Sequence, residues 1–414
     1  LMGPEGPAKW EVQTCHRRFT IFPTRRGGEA MQFEWATPTR IIFGPGAVRE
    51  AGNIAAEMGK RVFVVTGKTL SRATPLLEML AEAGLETVTF QVAGEPTTDR
   101  VRTGLEQARA ANCDSVIGFG GGSPLDAGKA ISGLLTNPGR LMDYLEIIGS
   151  GKQLKHRAAP YMAIPTTAGT GTEVTRNAVL TSPAHKVKVS LRSPLLIPRV
   201  ALVDPELTCT LPPAITASTG LDAFTQVLEP FVCNKPNPFT DAVCREGLRR
   251  AARSLRQVCE QGEDKGARED LALVSLFGGL ALANAGLGAV HGFAASLGGM
   301  FPAPHGAICA RLLPHVMAAN VRALQVRQPH SEALARYEEI ARILTGQAAV
   351  TARDGVMWVQ ELCEALNIPP LAAHGMHAAD ILTVIEKAAQ ASSMKANPVR
   401  LTPEEMQSIL EKAL

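Results

Sequence analysis

The sequence predicts two dissimilar parts: a doubly wound, parallel α/β domain of nucleotide-binding type over residues 31–209, then an all-helical domain over residues 210–414. Three observations carry this expectation. From about residue 60, short β-rich runs alternate with amphipathic stretches of helix length, the pattern of parallel strands joined by crossover helices. Two of the predicted strands run directly into glycine- and threonine-rich turns. After Asp204-Pro205 the texture changes to Ala, Leu and charged residues at helical spacing.

Residues 1–30 lack periodicity and carry five basic against three acidic residues. A transit peptide would be Arg-rich and poor in acids, so an N-terminal extension outside the fold, disordered, is the expectation. Met31 then opens a strand-like segment, MQFEWATPTRIIFGPGA. RVFVVTG is a buried strand, TPLLEMLAEAG an amphipathic helix ending at Gly84, ETVTFQV a strand, DRVRTGLEQARAANC a helix, and DSVIGFGGGS a strand entering glycines. YMAIPTTAGTG and RVALVDPEL add two more strands, and the boundary falls near VDPELTCTLPP. Beyond it, NKPNPF, QGEDKGA, FPAPHG and NIPP break the helical pattern. A ligand cleft between the two parts is the default expectation.

Composition narrows the function classes. The formal net charge is +3 with the basic residues scattered, which argues against nucleic acid or an anionic membrane as the main partner. No apolar run reaches the roughly 18 to 20 residues of a spanning helix, the nearest being Leu271 to Val290. Eight cysteines without a C-x-x-C pair read as buried thiols of a reducing, cytoplasmic compartment.

Within GFGGGSPLDAGKA (118 to 130), three consecutive glycines let the backbone approach an anion, and Ser123 is placed to cap the helix that follows, whose first amides suit a pyrophosphate. A ligand-free strand-to-helix turn explains the same residues equally well. AIPTTAGTGTEVT (163 to 175) is a second such loop, and two at the ends of parallel strands favour a dinucleotide. In LDAFTQVLEP (221 to 230), Asp222 and Gln226 stand one helical turn apart and can aim two oxygens at one point. With His291 and His305 downstream, Asp222 makes a two-His, one-carboxylate set suited to Fe²⁺ or Zn²⁺. Singly, each His is more often a hydrogen-bonded structural residue.

Nine segments in order make the sequence resemble the iron-containing (group III) alcohol dehydrogenases, grouped with glycerol dehydrogenase and dehydroquinate synthase: FGPGA (43 to 47), GEPTTDRV (94 to 101), GGGSPLDAGKA, AIPTTAGTGTEVT, LVDPELT (202 to 208), TGLDAFTQVLE (219 to 229), VHGFAASLGG (290 to 299), PHGAICARLLPHVM (304 to 317) and NPVRLTPEE (397 to 405). The resemblance implies a Rossmann-like domain that binds NAD(P), a helical domain that binds a divalent metal, and interconversion of an alcohol with an aldehyde or ketone by hydride transfer. It implies a homodimer or larger homo-oligomer. It places the cofactor on Gly121, Gly122, Ser123 and Asp126, on Thr166, Thr167, Thr170 and Thr172, and on Asn177 and Lys188. The metal set it implies is Asp222, His291, His305 and a fourth His one turn after the Asp, where this chain has Gln226.

A further His, four residues after His291, is replaced by Ala295. Three readings follow from Gln226: a weakened Fe or Zn site, a harder ion, or no metal, with the amide on substrate. NAD-preferring members usually carry an Asp where this chain has Gly67; with Lys68 beside it, NADP(H) is the expectation. The rivals are a metal-independent carbonyl reductase and a non-catalytic nucleotide-binding relative.

Overall fold

Strands rich in β-branched residues build one wholly parallel sheet. They are β1 (Arg40–Phe43), β2 (Arg61–Thr66), β3 (Glu86–Gln91), β4 (Ser115–Gly120), β5 (Tyr161–Pro165) and, after two strands of a separate sheet, β6 (Asn177–Ser182) and β7 (Val187–Arg192), β8 (Val200–Val203). The order across the six-stranded sheet is β1-β8-β5-β4-β2-β3. The computed structural model describes residues 32–185 and 187–414; the expected extension and Met31 lie outside them. Residues Trp35–Leu414 make one compact unit.

β4 is buried at every position and β2 at all but its first, as a sheet covered on both faces requires. In the α/β part the helices are α1 (Ala51–Ala56), α2 (Thr74–Glu82), α3 (Thr98–Ala110), α4 (Gly122–Thr136) and the short α5 (Leu141–Tyr144). β3 lies on one side of β2 and β4 on the other, so the chain reverses its direction of travel there. Connections leaving β2 and β4 diverge and open a crevice at their C-terminal ends, where such sheets bind ligands.

The helical part comprises α6 (Pro213–Val232), α7 (Pro238–Glu260), α8 (Lys265–Asn284), α9 (Ala289–Met300), α10 (His305–Arg327), α11 (Glu332–Thr345), α12 (Ala352–Ala365), α13 (Ile381–Gln390), α14 (Ser392–Ala396) and α15 (Pro403–Ala413). Phe224, Phe231 and Phe293 are fully buried at its centre, each stabilising the fold by about 1.5–3 kcal/mol. The four predicted breaks fall between α6 and α7, α7 and α8, α9 and α10, and just after α12.

One expectation changes. Of the strand-like segment from Met31, only Arg40–Phe43 is a strand, because its partner β8 is equally short. The apolar run from Leu271 to Val290 is cut at Asn284, and α8 and α9 meet at 96°. No single helix among the described residues is long and apolar enough to cross a membrane. The antiparallel hairpin of β6 and β7 has no counterpart in the sequence reading.

The loop after β5 docks the sheet onto the helices. Gly169 N donates to Ser275 Oγ on α8 at 2.9 Å. Gly171 has φ +59°, and a Cβ there would meet Gly279 Cα at 2.5 Å, so both conformation and space require glycine.

Candidate active site

Five side chains converge from three helices. α6 presents Asp222 and Gln226 one turn apart; α9 presents His291; α10 presents His305 and Cys309, again one turn apart. The FPAP break makes this possible, because it ends α9 at Met300 and restarts the chain with His305 as the first residue of α10. Asp222 Oδ1 lies 3.4 Å from His291 Nε2 and 3.8 Å from His305 Nε2. Cys309 Sγ lies 3.6 Å from His305 Nε2. One donor atom from each of Asp222, His291, His305 and Cys309 falls within 4.8 Å of all the others. Both imidazoles stand beside the Asp222 carboxylate.

Asp222, Gln226 and His291 are 2%, 3% and 6% exposed. Among the described residues, five buried side-chain polar atoms have no hydrogen-bond partner, and three are Asp222 Oδ1, Gln226 Oε1 and His291 Nε2. Each such atom costs about 1–3 kcal/mol when left buried and unmet. Two of them, Asp222 Oδ1 and His291 Nε2, stand together in the four-residue cluster and fit a divalent cation.

His291 is oriented from behind. Its Nδ1 donates to Glu229 Oε2 at 2.7 Å, while Glu229 Oε1 accepts from Val290 N at 2.7 Å. A proton is therefore held on Nδ1 and Nε2 faces the cluster, the ring orientation a metal ligand needs. Glu229 comes so close to the chain at Gly288 that a Cβ there would meet its Oε1 at 2.6 Å. Asn397 Oδ1 accepts from Ala289 N at 3.1 Å and ties down the start of α9.

Without a cation, the charges around this point favour a second proton on His291, one that a metal ion on Nε2 would displace. Burial alone would push the Asp222 carboxyl up, but His305 and His291 outweigh it and hold it below its usual value. Burial opposes a charge on His291, yet Cys309, Asp222 and Glu229 push its pKa well above the usual one. His305 is driven down to about 4, chiefly by burial, against the pull of Asp222 and with His291 and Lys188 adding to the drop. Burial raises the Cys309 thiol to about 12, against His291.

At the crevice between β2 and β4, Gly67 N lies 3.6 Å from a Cβ built on Gly120, and nothing stands within 4 Å of a Cβ on Gly67 itself. Lys68 is exposed beside it. Thr167 and Thr170 pack over Gly121 and Gly122, and Thr166 N donates to Gly120 O at 2.8 Å, so the two predicted loops form one surface. Ser123 does not cap α4. Gly121 is the N-cap and the helix already begins at Gly122, because the glycine backbone turns into the helix earlier than a serine cap would require.

Under this surface Thr172 Oγ1 donates to Asp126 and accepts from Lys129 Nζ at 2.9 Å. Lys129, fully buried, also donates to Thr172 O, Thr175 Oγ1 and Asn177 O at 2.6–2.9 Å. Burial lowers Lys129 to about 8 and raises Glu173 to about 7. Thr172 and Asp126 thus brace the loop from beneath. Lys188 pairs with Glu95 at 3.0 Å, and both bear on His305.

Residues 38–205 match the family model for iron-containing alcohol dehydrogenase, and residues 216–414 match that for the C-terminal part of the same family. The chain belongs to the iron-containing alcohol dehydrogenase family. It is 35% identical over 394 residues to 1,3-propanediol dehydrogenase of Klebsiella pneumoniae, covering 92% of this chain and 98% of that protein. The crystal structure of a 1,3-propanediol oxidoreductase superposes with a TM-score of 0.86 at 34% identity, over 93% of this chain and all of that one. Sulfoacetaldehyde reductase of Bifidobacterium kashiwanohense, solved with NAD⁺, superposes with a TM-score of 0.81 at 26% identity, over 92% and 98%.

The chain is thus an alcohol dehydrogenase, an enzyme that interconverts alcohols with aldehydes. Within it, Asp222, His291 and His305 come together and Gln226 lies against Asp222. Ala295, one turn beyond His291, is exposed. The sequence reading missed Cys309, Glu229, Lys129 and Glu173. Cys309 stands four residues after His305 and Glu229 seven after Asp222, spacings that place each on the face of its predecessor; Lys129 carries no such signal.

Proposed function

We propose that this dehydrogenase uses NADP(H) and a divalent metal, Fe²⁺ or Zn²⁺, held by Asp222, His291 and His305 with Gln226 as a weaker neighbour. The observation that carries the reading is that two buried atoms without hydrogen-bond partners, Asp222 Oδ1 and His291 Nε2, meet in one cluster with His305. When bound, the metal supplies Lewis acidity toward the alcohol or carbonyl oxygen, and the nicotinamide gives or takes the hydride.

The remaining work falls to the chain. Residues 31–209 serve the cofactor: the backbone of Gly121 and Gly122 at the start of α4 receives the pyrophosphate, Ser123, Thr166, Thr167 and Thr170 line its path, and Asp126, Thr172 and Lys129 brace that surface. Asn177 and Lys188 face the nicotinamide end. Gly67 leaves open space beside Lys68, which suits a 2′-phosphate in place of a free hydroxyl. Residues 210–414 serve metal and substrate. Glu229 keeps the proton on His291 Nδ1, and the exposed Ala295 leaves the substrate side without an imidazole there. The resemblance adds a homodimer or larger homo-oligomer, checked by light scattering in solution.

The test is NADPH-dependent aldehyde reduction after chelator stripping, with Fe²⁺, Zn²⁺ or Mn²⁺ restored individually and the metal content measured. Activity that is lost and returns with one ion supports the reading. Full activity in protein shown to be metal-free overturns it in favour of a metal-independent reductase.

A further inference from the structure

The donor set contains a group that neither the family resemblance nor the proposed reading uses. Cys309 Sγ is fully buried, sits one turn after His305 on the same face of α10, and belongs to the four-residue cluster whose donor atoms lie within 4.8 Å of one another. It replaces what Gln226 fails to offer: α6 lacks a second strong donor, and α10 supplies one.

Resting on the metal-dependent reading above, we propose that Cys309 Sγ binds the cation directly, completing an Asp222, His291, His305 and Cys309 set whose thiolate favours Zn²⁺ over Fe²⁺. The unpartnered Asp222 Oδ1 and His291 Nε2 belong to this cluster independently of the cysteine. Bond lengths of about 2.0 Å to nitrogen or oxygen and about 2.3 Å to sulfur put tetrahedral edges near 3.3 Å for N and O and near 3.6 Å for N and S. The separations here are 3.4 Å and 3.8 Å between Asp222 and the two imidazoles, and 3.6 Å between Cys309 and His305. Three of the six edges therefore stand near tetrahedral spacing, and the other three lie within 4.8 Å. Binding exchanges the thiol proton for the metal and releases that proton to solvent. Soft thiolate in a borderline nitrogen and oxygen set selects zinc among the common divalent ions.

The decisive experiment loads chelator-stripped protein with one equivalent of Co²⁺ and compares the full-length chain with Cys309→Ser and Cys309→Ala. The expected result is a thiolate-to-cobalt charge-transfer band in the near ultraviolet that both variants lose while still binding cobalt. Zinc affinity should fall by more than the roughly 10- to 100-fold that loss of an outer-shell partner costs. Cobalt bound without that band, or with a band that survives in both variants, overturns the assignment and leaves the metal reading standing. No cobalt bound by the unaltered chain sinks the metal reading itself. X-ray absorption of the zinc-loaded, unaltered chain needs no variant: a sulfur shell at about 2.3 Å supports the assignment, and nitrogen and oxygen alone at about 2.0–2.1 Å refute it.

Discussion

Replacing Glu229 by Gln tests how the cluster is held together. The Glu229 carboxylate is nearly isosteric with an amide, and both of its oxygens accept: one from His291 Nδ1 and one from Val290 N, each at 2.7 Å. The amide keeps one acceptor and turns the other into a donor. If the NH₂ faces Val290, a buried N–H loses its partner and the cost falls on the fold with or without metal. If it faces His291, the ring must move its proton to Nε2, the atom aimed at the cluster, and the cost falls on metal binding.

One unmet buried donor is worth about 1–3 kcal/mol, or roughly 5- to 150-fold in an equilibrium constant. The loss typical of an outer-shell partner, about 10- to 100-fold in metal affinity, lies within that span. Zinc affinity, measured by competition with a chromophoric chelator, should therefore weaken by roughly 10- to 100-fold in Glu229→Gln. Thermal unfolding of the metal-free protein run in parallel separates the two orientations. A zinc affinity within about twofold of the parent, with unchanged stability, would falsify the role assigned to Glu229.

Gly67→Asp places a carboxylate in the open space at the end of β2; at ~4 Å from a 2′-phosphate it costs about 1–4 kcal/mol, so kcat/KM for NADPH should fall at least about fivefold relative to NADH, and an unchanged ratio would remove the 2′-phosphate from this position. Burial pushes the Glu173 carboxyl up to about 7 from 4.5, so the folded chain keeps a proton that the unfolded chain releases; this contribution is present below the unfolded value and is lost as pH rises to about 7. Thermal melts of Glu173→Gln should accordingly gain on the parent from about pH 5 to about pH 7.5, by up to about 3 kcal/mol, and parallel pH profiles would rule this out. Lys129→Met strips the donor from four oxygens beneath the cofactor loop and should cost about 3–5 kcal/mol in urea unfolding; a loss under about 1 kcal/mol would mean the loop is braced elsewhere.

The sheet was legible because its strands are buried on both faces and read as unbroken apolar runs, as in VIGF before Gly120. Proline and glycine breaks located the helix ends for the same kind of reason: the backbone at those points cannot continue a helix. The hairpin of β6 and β7 escaped notice because its alternation is half-buried and polar on one side. In the site, Asp222, His291 and His305 were visible as residue types with a motif around them. Glu229 stood in the same quoted segment, but its role depends on the start of α9 arriving beside α6, which no local pattern encodes. Lys129 was hidden by a sound general rule, that lysines are mostly exposed; four oxygens gathered by a loop from elsewhere in the chain reverse it here.

The paired spacing on α6 and α10 explains how such a centre tolerates Gln226. Each helix offers two positions one turn apart to the same point, and the two helices pack directly against each other. Moving a strong donor from the second position of α6 to the second position of α10 keeps the number of donors while exchanging a neutral imidazole for an anionic sulfur. A set of Asp and three His leaves a divalent ion with one uncompensated positive charge. Asp222 with Cys309 cancels it, which lowers the cost of keeping the ion away from water beside side chains only 2% to 6% exposed. The same cancellation weakens the ion's pull on an incoming oxygen. Tight retention and strong polarisation therefore oppose each other in this arrangement, and the a-third-exposed side of His305 is where a substrate oxygen has room to enter.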